Sequence, residues 1–309
     1  GSVVLAAVLL KMGTYGFIRF SLPILPQATH AFVPYIVVLC MIGIVYGALV
    51  ALAQRDWKRL VAYSSVSHMG YVVMGLFALE PAAVEGANLQ LVNHGLSAAG
   101  LFALVGMLYE RFHTRSIASL GGVASQAPWL TAMFVLFTFA SIGLPGLNGF
   151  AGEFLILAGS FQRAFGGVAA EWRSWYLALA AGAVAGLVLG AWYMLWAVER
   201  VFFGAERRPH GATSAASGHG SRATPGADSA AGVHGAVADL HWYEWGAVAP
   251  LAVFALWIGL QPGAFLAPVS AAVRGATAPA AAAFATLHDH RPAPAIASVA
   301  HPVVEGSAR

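Results

Sequence analysis

The sequence predicts an all-α, polytopic membrane helix bundle, and three features predict it. Hydrophobic residues make up 59% of the 309 residues and charged residues only 9%, against roughly 25% charged in an ordinary soluble domain. Mean hydropathy is +0.72, and apolar runs recur that are long enough to cross the roughly 30 Å hydrocarbon core as helices. No run alternates with a strand period, which argues against a β-barrel. Composition therefore excludes a free-standing soluble enzyme.

The elements follow in order. Six spans fill a membrane domain over residues 1–204, at about 2–22, 33–54, 59–79, 86–108, 128–162 and 174–200. Residues 205–242, including GATSAASGHGSRATPGADSAAG, are rich in Gly, Ala and Ser and read as a disordered loop. A last span is expected at 243–268, and the Ala- and Pro-rich remainder, 269–309, reads as a loose tail. The first helix arrives without a preceding loop or an initiator Met, so a partial chain is expected. Gly1-Ser2 reads equally as native or as an added dipeptide.

The net charge of +3 does not point to nucleic acid, because the cations are sparse and confined to loops. They set orientation instead. The loops on the side of Gly1 hold Arg55, Lys58, Arg59, Arg111, Arg115 and Arg200, among others, whereas the opposite loops hold Arg19, Arg163 and Arg173. By the positive-inside rule the Gly1 side is cytoplasmic, and seven spans put the C-terminus on the other side. The single cysteine, Cys40, cannot form an internal disulfide and reads as inert packing. His210, His219 and His234 are irregularly spaced and lack acidic or thiol partners, so no metal site is expected.

The span at 128–162 is too long for one straight crossing. Thirty-five residues would extend about 52 Å. Its centre reads GLPGLNGFAGEF. Pro145 removes a backbone donor and clashes with the preceding turn. Gly143, Gly146 and Gly149 permit irregular backbone. A break near 144–150 is therefore expected, with Glu153 in the first turn of the second half-helix. Irregular backbone at membrane depth is tolerated where it is buried in protein or lines a wet cavity, and broken helices are a recurring transporter device.

Four titratable residues fall near mid-depth of four different spans: Lys11, His68, His94 and Glu153. Each costs several kcal/mol in lipid, so each is expected to face protein or water. The duller readings are a snorkelling Lys11, hydrogen-bonded structural histidines and a static ion-paired Glu153. Four such groups at one depth point instead to a proton relay, running Lys11, His68, His94, Glu153 through bound waters.

The strings VLLKMGTYGFIRFSLP, DWKRLVAYSSVSHMGYV, HGLSAAGLFALVGMLYERFHTR and GLPGLNGFAGEFLILAGSFQ occur in this order. They resemble the antiporter-like membrane subunits of bacterial respiratory complex I, the proton-translocating NADH:quinone oxidoreductase. The resemblance covers about residues 1–204. It implies that the chain begins at the eighth helix of a family fold of about fourteen helices in two inverted repeats. It also implies that Lys11, His68, His94 and Glu153 lie on a hydrated axis, and that no redox chemistry occurs in this chain. NADH, FMN, iron–sulfur clusters and quinone would be bound by other subunits. A glutamate rather than a lysine in the broken helix distinguishes one of the three paralogues. Its implied partners are other complex I membrane subunits, above all the antiporter-like subunits L and N, with the lipid bilayer, protons and internal water. Two other readings remain: a membrane subunit of an Mrp-type cation/proton antiporter or membrane-bound hydrogenase, and a non-conducting scaffold, which predicts a dry axis.

Overall fold

The structure, a computed structural model, describes residues 1–166, 170–207 and 237–288. Helix α1 spans Val4–Ile24, α2 Pro26–Leu52, α3 Trp57–Phe77 and α4 Pro81–Phe112. The connections between them are one to four residues long, so consecutive helices run antiparallel. The broken span follows as α5 (Pro128–Ser141) and α6 (Asn148–Gly166). Next come α7 (Ala170–Val198), which runs on into a π turn over Glu199–Phe203, then α8 (Trp242–Leu260) and α9 (Pro262–His288). Six of these helices are long and apolar enough to cross a membrane.

Local chemistry explains the helix starts. Pro26, Pro81 and Pro128 open α2, α4 and α5, where the missing N–H would be unpaired anyway. The Asp56 carboxylate caps α3 by accepting from the Arg59 N–H at 3.1 Å. A capping box between His241 and Glu244 starts α8.

Two apolar cores stack along the bundle. The one nearer Gly1 joins Trp57, Phe134 and Phe202, with ring centroids 4.8 Å apart for Trp57–Phe134 and 4.7 Å for Phe134–Phe202. The core at the far end joins Ile18, Ile44, Tyr71, Phe77 and Ile156. Close helix approach comes from glycines: a Cβ at Gly70 would meet Ile44 and the Cys40 carbonyl, and one at Gly86 would meet Leu155 and Ile156. Cys40 is free and buried. Between the two cores lies a layer of buried polar side chains.

Several expectations require correction. The tail is helical through His288, not loose from 269; positions 289–309 lie outside the described residues. Alanine is the strongest helix former, so an Ala-rich stretch with an apolar face to bury folds as helix. Val273 and Ala280 join the far core. The last span ends at Leu260 rather than 268, because Pro262 disfavours helical backbone at the preceding Gln261. The break occupies 142–147 rather than 144–150, and Gly149 is helical. Of the expected disordered loop, positions 208–236 lie outside the described residues, as do His210, His219 and His234. Its described ends are fastened: the Arg207 N–H donates to the Gly121 carbonyl, and Asp239 caps α5 by accepting from the Trp129 and Leu130 N–H groups at 2.8 and 2.9 Å.

Candidate functional site

The polar layer is built by five elements. In α1, π turns over Val4–Leu9 and Phe17–Ser21 flank the helical turn that carries Lys11; π turns occur frequently at functional sites. Lys11 is half-buried. Its Nζ donates to the Ala6 carbonyl at 2.6 Å and lies 2.7 Å from His94 Nδ1. His94 is on α4, and its ring centroid is 5.5 Å from that of His68 on α3. His68 Nδ1 lies 2.9 Å from Glu153 Oε1 on α6, and His68 Nε2 lies 3.3 Å from Ser141 Oγ at the end of α5. His68, His94 and Glu153 are all buried, Glu153 being only 2% exposed.

The structure therefore brings all four expected residues together, with the two histidines in exchanged order. His94 contacts Lys11 and His68 contacts Glu153, giving Lys11–His94–His68–Glu153. The order depends on the rotation of α3 and α4 about their axes, which depth along the sequence does not encode.

The break sets the carboxylate in place. Gly143 and Gly146 adopt φ of +74° and +92°, conformations that favour glycine. The Leu144 N–H reaches the Phe139 carbonyl at 3.0 Å. Gly149 serves packing instead: a Cβ there would collide with the Ala140 carbonyl. Glu153 is the sixth residue of α6, hence in its second turn rather than the expected first. Its position owes more to side-chain partners than to the helix end.

Those partners were not singled out from the sequence. Gln90 Nε2 donates to Glu153 Oε1 at 3.0 Å. Asn93 Nδ2 donates to the Asn148 carbonyl at 2.7 Å, and Asn148 Nδ2 donates back to the Asn93 carbonyl at 3.0 Å. This reciprocal pair pins the start of α6 to α4. Gln90, Asn93, His94 and Ser97 recur at i, i+3, i+4 and i+7, a polar stripe on one face of an apolar helix. That stripe was a readable signal. Glu153 Oε2 and Asn93 Oδ1 are buried without a hydrogen-bond partner. The pocket among His68, Gln90, Asn93, His94, Ser97 and Ser141 is too tight to admit a water molecule.

A second buried pair lies toward the Gly1 end. The Arg111 guanidinium donates to both Glu244 oxygens and to the carbonyls of Met107, Ala238 and Asp239. The sequence marks Arg111 only as an orienting loop cation. Among the described residues, no group of three His, Cys, Asp or Glu side chains is placed to hold a metal ion.

Chemically, the layer can relocate protons. Lys11 and His94 can exchange one across a 2.7 Å contact: an ammonium donating to a neutral ring, or a neutral amine accepting from the ring N–H. His68 and Glu153 can do the same across 2.9 Å. Two imidazolium charges 5.5 Å apart would repel by about 3 kcal/mol at an effective dielectric of about 20. The histidine pair therefore favours one excess proton at a time.

The family model described as NADH:quinone oxidoreductase/Mrp antiporter, TM, matches residues 1–189. The chain belongs to this family. Among its relatives, NADH-quinone oxidoreductase subunit M of Rhodobacter capsulatus is 49% identical over 204 residues, covering 66% of the chain and 38% of the relative. The subunit M of Rickettsia typhi is 39% identical over 266 residues, covering 86% of the chain and 47% of the relative. A chain in the structure of respiratory complex I from Thermus thermophilus with bound NADH superposes with a TM-score of 0.71 at 32% identity, covering 89% of this chain and 52% of that one. The chain spans half or less of the length of these curated relatives. The all-α, antiporter-like membrane fold expected from the sequence is thus the fold of the family, and the glutamate reading agrees with relatives named subunit M.

Proposed function

We propose that the chain is part of a proton-translocating membrane subunit of NADH:quinone oxidoreductase, carrying the proton relay of the family's second half. The observation that carries this reading is the pair of hydrogen-bonded contacts Lys11–His94 and His68–Glu153, joined by the 5.5 Å approach of the two imidazole rings and enclosed between two apolar cores. The scaffold reading predicts a dry axis, and the central pocket is too tight for water; what supports a relay instead is direct polar contact at Lys11–His94 and His68–Glu153, which needs no intervening water. The Mrp or hydrogenase reading shares the fold but is less favoured by the relatives' names.

In the proposed cycle, Lys11 passes a proton to His94 and becomes neutral. The proton moves to His68 as the rings reorient, and then to Glu153. Ser141 can donate to or accept from His68 Nε2 according to the ring's charge, so either state of His68 keeps a partner. Gln90 holds Glu153 Oε1 toward His68. Electron transfer in other subunits would drive the cycle through neighbouring charge. Expected partners are the adjoining complex I membrane subunits, notably antiporter-like subunits L and N, in the bacterial cytoplasmic membrane. The Gly1 end would face the cytoplasm, and the far end of α8 the opposite side.

The test is Glu153→Gln and Lys11→Ala in the full-length subunit, within the assembled complex in proteoliposomes. Protons translocated per electron should fall in both. Normal stoichiometry and normal quinone-linked turnover in both would overturn the relay.

A further inference from the structure

Helix α8 is fastened at its start and pressed against the break near its end. At the start, the Arg111 guanidinium of α4 donates to both Glu244 oxygens and to the Ala238 and Asp239 carbonyls. The Glu244 carboxylate also accepts from the His241 N–H at 2.8 Å. The Arg111 and Glu244 side chains are 9% and 4% exposed. The Asp239 carboxylate in turn accepts from the Trp129 and Leu130 N–H groups that open α5. Segment 238–244 therefore ties the end of α4, the start of α5 and the start of α8 together. From Glu244 to Gly259 the helix runs about 22 Å at 1.5 Å per residue. There it meets the break backbone to backbone. A Cβ on Gly259 would lie 2.3 Å from the Gly146 carbonyl oxygen and 2.5 Å from Leu147 Cα. Between these two points Val248, Ala252, Ala255 and Ile258 bury one face of α8. At the other end of the break, a Cβ on Gly143 would lie 2.8 Å from Glu153 Oε2. Packing thus runs without a gap from the Arg111–Glu244 clasp, along α8, through Gly259 and the break, to the Glu153 carboxylate.

We propose that α8 is a strut through which the Arg111–Glu244 clasp sets the shape of the break, and with it the place of the Glu153 carboxylate. Arg111 and Gly259 are then positioning residues, acting on Glu153 from the Gly1 end and from beside the break. The effect on proton transfer rests on the relay reading above; the effect on the break rests on packing alone. Close-packed interiors compress little and transmit strain. Helices α5 and α8 start from the same tied segment and meet again at the break, so a shift of the clasp moves both of its flanks. With the clasp closed, α8 holds Gly146 and Leu147 in place, and Gly143 keeps Glu153 Oε2 turned inward. With the clasp loosened, α8 draws off the Gly146 carbonyl. The positive-φ turn gains room, and Glu153 leaves its contact with His68.

The test uses the full-length subunit in the assembled complex. Arg111→Lys keeps a cation beside Glu244 but loses the planar fork that reaches the Ala238 and Asp239 carbonyls. Gly259→Ala forces α8 off the break. Gly246→Ala is the matched control on the same helix, since a Cβ there meets nothing within 4 Å. Hydrogen–deuterium exchange, read by peptide mass spectrometry across residues 139–150, should rise severalfold in Arg111→Lys and in Gly259→Ala and stay at the wild-type level in Gly246→Ala. Wild-type exchange across the break in Arg111→Lys overturns the strut. In proteoliposomes both variants should lower the protons translocated per electron. Because they act through one break, the double variant should pump within about twofold of the worse single variant, whereas independent sites this far apart multiply their effects. A double variant at the product of the two single effects also overturns the strut. Glu153→Gln in parallel separates the two readings. If it pumps normally, the relay fails while exchange across the break still decides the strut; if it stops pumping while that exchange stays wild-type in Arg111→Lys, only the strut fails.

Discussion

A pair of glycine substitutions isolates the contact between the helix break and the relay. Gly143 and Gly146 both have positive φ, so alanine at either costs roughly 1–2 kcal/mol of backbone strain. Their surroundings differ. A Cβ at Gly143 would lie 2.8 Å from Glu153 Oε2, whereas one at Gly146 would meet nothing within 4 Å. Both variants should therefore melt at lower temperature, but only Gly143→Ala should press the carboxylate away from His68. A hydrogen bond to a charged group contributes about 1.5–3 kcal/mol. Losing the 2.9 Å His68–Glu153 contact should therefore slow proton transfer by roughly 10- to 100-fold, at about 1.4 kcal/mol per tenfold. The assay is the quench of a pH-sensitive dye in proteoliposomes, normalised to NADH oxidised, beside a thermal melt of the purified complex. Gly146→Ala should pump nearly as wild type despite its lower melting point. Equal pumping by the two variants would refute the reasoning, because backbone strain alone would then account for both.

Lys11→Arg keeps the charge and fits a similar length of side chain, but a guanidinium does not give up its proton. Complex assembly should survive and proton translocation should be lost; retained translocation would show that Lys11 acts only as a fixed charge. Arg111→Met should lower stability by about 3–5 kcal/mol, because it strands the buried Glu244 carboxylate. Adding Glu244→Leu should recover part of that loss in a thermal melt, and a double variant less stable than Arg111→Met would contradict the pairing.

Much of this architecture was legible because the membrane restricts the choices. Apolar runs of spanning length could be little other than helices, and Pro145 beside Gly143 and Gly146 marks a break to within three residues. The four candidate relay residues stand out because titratable groups in oil are rare. What stayed hidden depends on rotation and packing. The exchange of His68 and His94 is set by which faces α3 and α4 present to each other. Gly149 looked like part of the break, yet it is small so that α6 can approach the Ala140 carbonyl. The polar stripe of Gln90 and Asn93 on α4 is readable, but their partnership with Glu153 and Asn148 exists only once α4 and α6 are docked. Helix α9 escapes for a different reason: an Ala- and Pro-rich composition suggests a loose tail, although an Ala-rich stretch lacks helical order only when it has nothing to pack against.

The placement of the polar layer bears on how a proton can cross without other ions following. Hydrogen-bonded side chains can relay a proton through contacts of 2.7–2.9 Å, whereas a hydrated metal cation needs a continuous wet passage. Here the central pocket admits no water, and apolar cores close it on both sides. On the proposed relay, selectivity for protons would follow from tightness rather than from a dedicated filter. The same tightness would require motion at each end of the proposed relay, since a proton would enter at the half-buried Lys11 and leave from the buried Glu153. The π turns around Lys11 and the helix break before Glu153 put the least regular backbone beside those two ends. Irregular backbone there can shift a side chain without unfolding a whole helix, while α3 and α4, which hold the histidines, stay regular and keep the central contacts in register.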